Sequence, residues 1–157
     1  MDRIDLTVAV ALGSNVGDRV AHLNHAAGRL HTVLLDSRVS RFRETVPVGV
    51  SGPQSLYLNG AVVGRSEISA RELLSALKDI ERERGRQRPY PNAPRTLDLD
   101  LIVFGTDTID EPDLVVPHPR FRERRFVLEP LVELVPDLRD PVTGLTVTEL
   151  LRRLEDA

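Results

Sequence analysis

The 157-residue chain is 41% apolar and 29% charged, with a formal net charge of −3, the balance of one globular domain around a single core. It has no cysteine, which excludes disulfides, thiolate metal sites and cysteine nucleophiles, and its acidic balance argues against a nucleic-acid binder. No run approaches the roughly 18 apolar residues of a membrane span, and Met1-Asp2-Arg3-Ile4-Asp5-Leu6 has no secretory-signal character, so a cytoplasmic protein is expected.

Thr7 to Leu12 is a compact apolar run ending at Gly13-Ser14-Asn15, the pattern of a buried strand closed by a turn. Asp18 stands as N-cap to a helix whose apolar stripe is Val20, Leu23, Ala27, Leu30 and Leu34. Ser37 to Glu44 reads as a weaker strand because arginines blur its alternation. Thr45 to Ser55, with two prolines and two glycines, reads as a loop. Tyr57 to Val63 is expected as a strand, with Tyr57, Asn59, Ala61 and Val63 on one face and Leu58, Gly60 and Val62 on the other. Ser69-Ala70-Arg71-Glu72 spells a capping box, opening a helix with Leu73, Leu74, Leu77 and Ile80 on one side and Gly85 at its end. Three prolines exclude regular structure from 86 to 94, and Leu97 to Phe104 is the clearest strand.

From Thr106 onward the pattern is loop-rich, with a short helix near Glu123 to Leu134 and a last helix opened by Thr146-Val147-Thr148-Glu149. The order β-α-β-β-α-β predicts an α+β, ferredoxin-like sandwich followed by a loop-rich C-terminal helical extension. Its helices would cover one sheet face and leave the other open for a site. No repeat, low-complexity tract or linker divides the chain, so residues 1–157 are expected to form one domain.

Asp98 and Asp100, in Arg95-Thr96-Leu97-Asp98-Leu99-Asp100, are expected to share a strand face with Ile102 and Phe104, opposite Leu97, Leu99, Leu101 and Val103. Residues two apart lie about 6.5–7 Å apart along a strand, a spacing at which two carboxylates can converge on a pair of divalent cations. Oxygen-only donors select magnesium. A bare D-x-D is more often just the solvent face of an amphipathic strand, so the neighbours decide. Twenty of the 21 basic residues are arginine; five fall between 82 and 95 and four between 120 and 125. Codon bias explains the overall preference, but not two local clusters. The guanidinium fork suits phosphate oxygens, and carboxylates with arginines are what a magnesium-polyphosphate substrate requires.

Arg86, Arg88 and Arg95 flank the entrance to the aspartate strand, and Arg124 belongs to the second cluster. His118, between two prolines, can donate to a phosphate or stabilise a leaving group; capping a turn is its competing role. His22 and His25 lack a third ligand and read as surface residues. P-loop and nucleophile-elbow motifs are absent. The composition therefore points to magnesium-dependent transfer of a phosphate-containing group. A non-catalytic nucleotide-binding regulator and another ATP-dependent transferase are the alternatives.

Leu12-Gly13-Ser14-Asn15, Thr45 with Pro47 and Gly49, Tyr57-Leu58-Asn59, Gly85-Arg86, the run from Pro94 to Asp100, Pro117-His118, and Arg124 followed by Phe126 occur in that order. With them the chain resembles, nearly end to end, the 6-hydroxymethyl-7,8-dihydropterin pyrophosphokinases of folate biosynthesis. The resemblance implies a ferredoxin-like fold and transfer of pyrophosphate from ATP, the co-substrate, to the pterin hydroxymethyl group, releasing AMP. It implies that Asp98 and Asp100 hold two magnesium ions and act in catalysis with Arg86 and Arg95. ATP would meet Arg86, Arg88, Leu101, His118 and Arg124. The pterin would meet Thr45, Pro47, Val48, Tyr57, Asn59, Arg95, Asp98 and Phe126, with Tyr57 and Phe126 stacking on its ring unless both are ordinary core residues. Small molecules are then the only partners, with no nucleic acid and no membrane, and a monomer is expected. The chain departs from many members in having Asn92-Ala93-Pro94-Arg95 for Trp-Gly-Pro-Arg, in a loop one residue shorter where Tyr90 is the aromatic at hand. Pro119 stands where some carry Tyr, and Asp113 where some carry a basic residue.

Overall fold

The computed structural model describes residues 7–46, 56–85 and 96–156. Along them run β1 (Thr7–Ser14), α1 (Arg19–Val33), β2 (Leu35–Val39), β3 (Arg43–Thr45), β4 (Tyr57–Arg65), α2 (Ala70–Glu83), β5 (Asp98–Phe104), β6 (Ile109–Glu111), β7 (Leu114–Val116), α3 (Arg125–Leu134) and α4 (Val147–Glu155). The main sheet is antiparallel, in the order β2-β4-β1-β5, with β3 also on β4. This is a mixed α/β fold with four helices among the described residues. No helix of the described residues is long and apolar enough to cross a membrane.

The alternation of β1 divides the interior in two. Val8, Val10 and Leu12 point to a core shared with Leu23, Ala26 and Leu30 of α1 and Leu73, Leu77 and Ile80 of α2. Ala9 points the other way, into a second core built from Val127, Leu128 and Leu131 of α3 and Val147 and Leu150 of α4. Local signals set the helices: the Asp18 carboxylate accepts the Ala21 N–H at 3.1 Å, and Ser69 with Glu72 closes a capping box on α2. Gly85 takes φ +74° just beyond α2, where a Cβ would be strained. A second capping box, Thr146 with Glu149, opens α4.

Several expectations are corrected. Val20 is 52% exposed; Ala26 takes its place on the buried stripe of α1. The weak strand from Ser37 to Glu44 is two strands, β2 and β3, and Thr45 ends β3 rather than opening a loop. The helix placed near Glu123 begins as a 3-10 turn, Phe121–Glu123, before α3. The hairpin of β6 and β7 was not foreseen, because three-residue strands carry no readable period.

Two differences bear on the site. Ala9 pairs with Val103 and Val10 with Leu101, so Ile102 is an extra residue in β5, a β-bulge. Beyond it the faces exchange. Val103 joins Ile102 in the core under α3 and α4, whereas Phe104 joins Leu99 and Leu101 under α1 and α2. The sheet face expected to be open is covered by α3 and α4 over the row of Ala9, Val63 and Val103, and among the described residues only its other end remains clear.

Candidate active site

At that clear end the side chains are small in the middle and polar at the sides. Gly13 lies between Asn59 on β4 and Asp98 on β5, and Ala11 lies between Ala61 and Asp100. Adjacent strands are about 4.8 Å apart, so the missing side chain at Gly13 leaves a depression flanked by an amide and a carboxylate. A Cβ at Gly13 would come within 3.2 Å of Asn59 Oδ1. Tyr57 continues the Asn59 face, and Thr45 sits opposite Tyr57 on β3. The 3-10 turn and the first turn of α3 supply the facing wall with Arg120, Glu123, Arg124 and Phe126. Together they enclose a cavity of about 560 Å³.

Seven residues singled out from the sequence line this one cavity: Thr45, Tyr57, Asn59, Asp98, Asp100, Arg124 and Phe126. Asn59 Nδ2 donates to Thr45 Oγ1, leaving the amide oxygen toward Gly13. The Arg124 guanidinium lies 5.7 Å from the centre of the Phe126 ring, within cation–π range. Leu101 turns its side chain into the α1/α2 core and is 6% exposed; a ligand on the aspartate face could meet only its backbone. Pro47, Val48, Arg86, Arg88 and Arg95, with the loop departures at Tyr90 and Asn92, lie outside the described residues.

His118 follows a cis Val116–Pro117 bond and is tied to β5 by its N–H, which donates to Ile102 O at 2.9 Å. Its Nδ1 accepts the Arg120 N–H at 3.1 Å, so the ring proton resides on Nε2, which is free to donate. Burial lowers its pKa from the ordinary 6.5, as do Arg124 and Arg120, against an opposing pull from Asp98. Because the folded value lies below the unfolded one, the native state binds fewer protons in this window. The stability due to the neutral ring is complete above 6.5 and is lost as pH falls through the folded value. Wild type should therefore lose more stability than His118→Asn between about pH 7.5 and about pH 5.5, measured by urea unfolding. Equal losses would show that His118 does not titrate differently on folding.

The arginine clusters separate into members held by acidic or histidine partners and members that face the cavity. Arg122 bonds the buried Asp140 twice, Nη2 to Oδ1 at 2.9 Å, and its guanidinium stacks on Phe121. Arg125 pairs with Glu129 and Glu155. Arg82 bonds Asp79, and Arg84 donates from Nε to His22 Nδ1 at 2.9 Å. His25 meets Glu83, so His22 and His25 both join α1 to the end of α2. Arg120 and Arg124 alone of the second cluster face the cavity without an ion pair among the described residues.

Three residues at or beside the cavity are not marked by any of the motifs. Arg120 and Glu123 line the cavity but were submerged in a charged run. Glu81, 5% exposed, accepts the N–H of Leu99 at 2.8 Å, bracing β5 between the two aspartates. Its signal was available: Leu73, Leu77 and Glu81 are spaced by four, so a carboxylate occupies a core position of α2.

Among the described residues no group of three or more His, Asp or Glu gathers to enclose a metal. Asp98 and Asp100 offer hard oxygens, half-buried, beside open space. That donor set suits a cation shared with a ligand's own oxygens, the usual arrangement for magnesium with phosphates.

Comparison with known proteins agrees with this chemistry. Residues 9–136 match the family model of 7,8-dihydro-6-hydroxymethylpterin-pyrophosphokinase (HPPK). A 2-amino-4-hydroxy-6-hydroxymethyldihydropteridine pyrophosphokinase from Bacillus subtilis is 41% identical over 137 residues, covering 86% of this chain and 81% of its own length. One of the same name from Pseudomonas aeruginosa is 38% identical over 149 residues, covering 92% and 89%. A crystal structure of Plasmodium falciparum HPPK-DHPS superposes with a TM-score of 0.76 at 16% identity, over 94% of this chain and 45% of that one. That last likeness concerns the fold alone.

Proposed function

This chain belongs to the 7,8-dihydro-6-hydroxymethylpterin-pyrophosphokinase family, and from that premise we propose that it transfers pyrophosphate from ATP to the hydroxymethyl group of 6-hydroxymethyl-7,8-dihydropterin in folate biosynthesis. The observation that carries it is the meeting of Asp98, Asp100, Arg124 and Phe126 on one cavity. The hydroxymethyl oxygen attacks the β-phosphorus, the bond from that phosphorus to the α,β-bridging oxygen breaks, and AMP departs with that oxygen.

Asp98 and Asp100 would hold two magnesium ions, which when bound neutralise the triphosphate and polarise the attacked phosphoryl group. Arg124, with Arg86, Arg88 and Arg95, answers the charge that gathers on the phosphate oxygens. His118 donates from Nε2, the nitrogen left free by the Arg120 N–H. Leu101 meets the nucleotide through its backbone. On the pterin side, Tyr57 and Phe126 stack against the flat ring. Asn59 accepts from the ring's edge through the oxygen it keeps free of Thr45. Pro47, Val48, Arg95 and Asp98 would also meet the pterin.

The sheet order β2-β4-β1-β5, with α1 and α2 on one face, supports a ferredoxin-like sandwich. The elements after Thr106 are then an extension that roofs the other face. Both cores share that sheet, which supports one domain over 1–157. A monomer in the cytoplasm completes the proposal; size-exclusion chromatography tests the monomer.

The protein incubated with ATP, magnesium and the pterin alcohol should release AMP and the pterin diphosphate in equal amounts, and EDTA should stop both. Formation of ADP, or no turnover, would overturn the proposed reaction. Turnover undiminished by EDTA would remove magnesium from it.

A further inference from the structure

We propose that Arg43 and Glu133 form a clasp that sets the width of the pterin cleft, which makes them positioning residues for a reaction they do not touch; this rests on the pterin site proposed above. The cleft has walls from two different layers. One is the sheet end, with Thr45 on β3 and Tyr57 and Asn59 on β4. The other is the first turn of α3, with Arg124 and Phe126.

Neither wall is firmly held by its own element. Among the described residues β3, three residues long, pairs with β4 alone, and so short an edge strand has little independent stability. Arg43 lies opposite Asn59 and Thr45 opposite Tyr57, and Asn59 bonds Thr45. Any shift of β3 therefore moves the polar edge of the cleft. The N-terminus of α3 has no side-chain cap, and Pro130 lies within the helix. Proline has no N–H, so the helix bond to the Phe126 carbonyl is missing.

Glu133, in the last turn of α3, joins the two walls. Its Oε1 accepts from Arg43 Nη2 at 2.7 Å, and its Oε2 accepts the Arg41 backbone N–H at 3.0 Å. Both carboxylate oxygens thus hold the segment that enters β3. Burial pushes the Glu133 carboxyl up, but the Arg41 N–H and the Arg43 guanidinium outweigh it and keep the group ionised. Each side chain of the Arg43–Glu133 pair is 26% exposed. A partly solvated pair contributes little to global stability, yet two charge-assisted bonds fix a direction. Phe126 lies seven positions back along α3, about 10 Å at 1.5 Å per residue, so the clasp acts at a distance, outside the cleft.

The test uses Glu133→Gln, Arg43→Met and the charge-exchanged double variant Arg43→Glu with Glu133→Arg. Pterin affinity is read by the fluorescence of the pterin itself, alongside KM for each substrate, kcat and Tm. In each single variant the pterin Kd and KM should rise about fivefold, the scale of one partly exposed charged contact. KM for ATP and kcat should stay within about twofold, and the double variant should regain part of the pterin affinity, because the charge pair returns but the Arg41 N–H loses its carboxylate acceptor. Unchanged pterin affinity in both single variants overturns the clasp. So does an equal rise in both KM values with a lowered Tm, which is the mark of general structural support. A wild-type protein that fails to bind the pterin removes the pterin site, and the clasp with it, so the two failures are told apart.

Discussion

Asp98→Asn and Asp100→Asn should each lower kcat by at least about a thousandfold, roughly 4 kcal/mol of transition-state stabilisation, with the far-UV circular dichroism unchanged. Asparagine keeps the size and one carbonyl oxygen but removes the charge, so the loss isolates what the carboxylate does for a metal-phosphate complex. Both aspartates are half-buried and belong to neither core, which is why the fold should survive. The two variants should also differ. Asp98 shares its row with Gly13 and Asn59, whereas Asp100 shares its row with Ala11 and Ala61. The Asp98 variant should therefore raise KM for the pterin as well, and the Asp100 variant should leave it near wild type. Steady-state kinetics at saturating ATP and magnesium decide the matter. Activity within about tenfold of wild type in either variant would remove that carboxylate from the metal role.

Phe121→Ala should cost about 3–5 kcal/mol of stability, a large part of the roughly 5–15 kcal/mol that a domain of this size has. Phe121 is fully buried and is the largest side chain to be so among the described residues. It fills the core between the sheet and the helices α3 and α4. Its neighbour Arg122 lies 4.9 Å over the ring and holds the buried Asp140, so the ring also shapes the platform of an ion pair. The 3-10 turn that Phe121 anchors leads directly to Arg124 and Phe126. Partial unfolding should thus cost activity at temperatures where the wild type is intact. Urea unfolding measures the loss; a change below about 1 kcal/mol would mean that Phe121 does not hold this layer to the sheet.

What the sequence disclosed and what it hid follow from how far each signal reaches. Capping at Asp18, Ser69 and Thr146 depends on residues three apart, and all three caps form. The alternation in Tyr57 to Val63 depends on neighbours two apart, and its faces divide between the cores as read. The aspartate pair was legible because a strand presents every second residue to one side. The Ile102 bulge was not, because it is visible only against the partner strand β1. The roof of α3 and α4 was hidden for the same reason: no local pattern says which sheet face a distant helix will cover. Arg120 and Arg122 show the limit within the site itself. They are two residues apart in one cluster, and only Asp140, eighteen residues beyond Arg122, makes one structural and leaves the other facing the cavity.

The extra residue at Ile102 puts the two halves of β5 out of phase. Ahead of it, odd positions face α1 and α2 and even positions face the cavity; beyond it, Phe104 faces α1 and α2 and Val103 faces α3 and α4. The strand is therefore two short registers spliced end to end: the first turns Asp98 and Asp100 to the cavity, and the second sets Val103 under α3 and α4 and Phe104 under α1 and α2. One uninterrupted phase could not turn both aspartates to the cavity and Phe104 to α1 and α2; the splice does both.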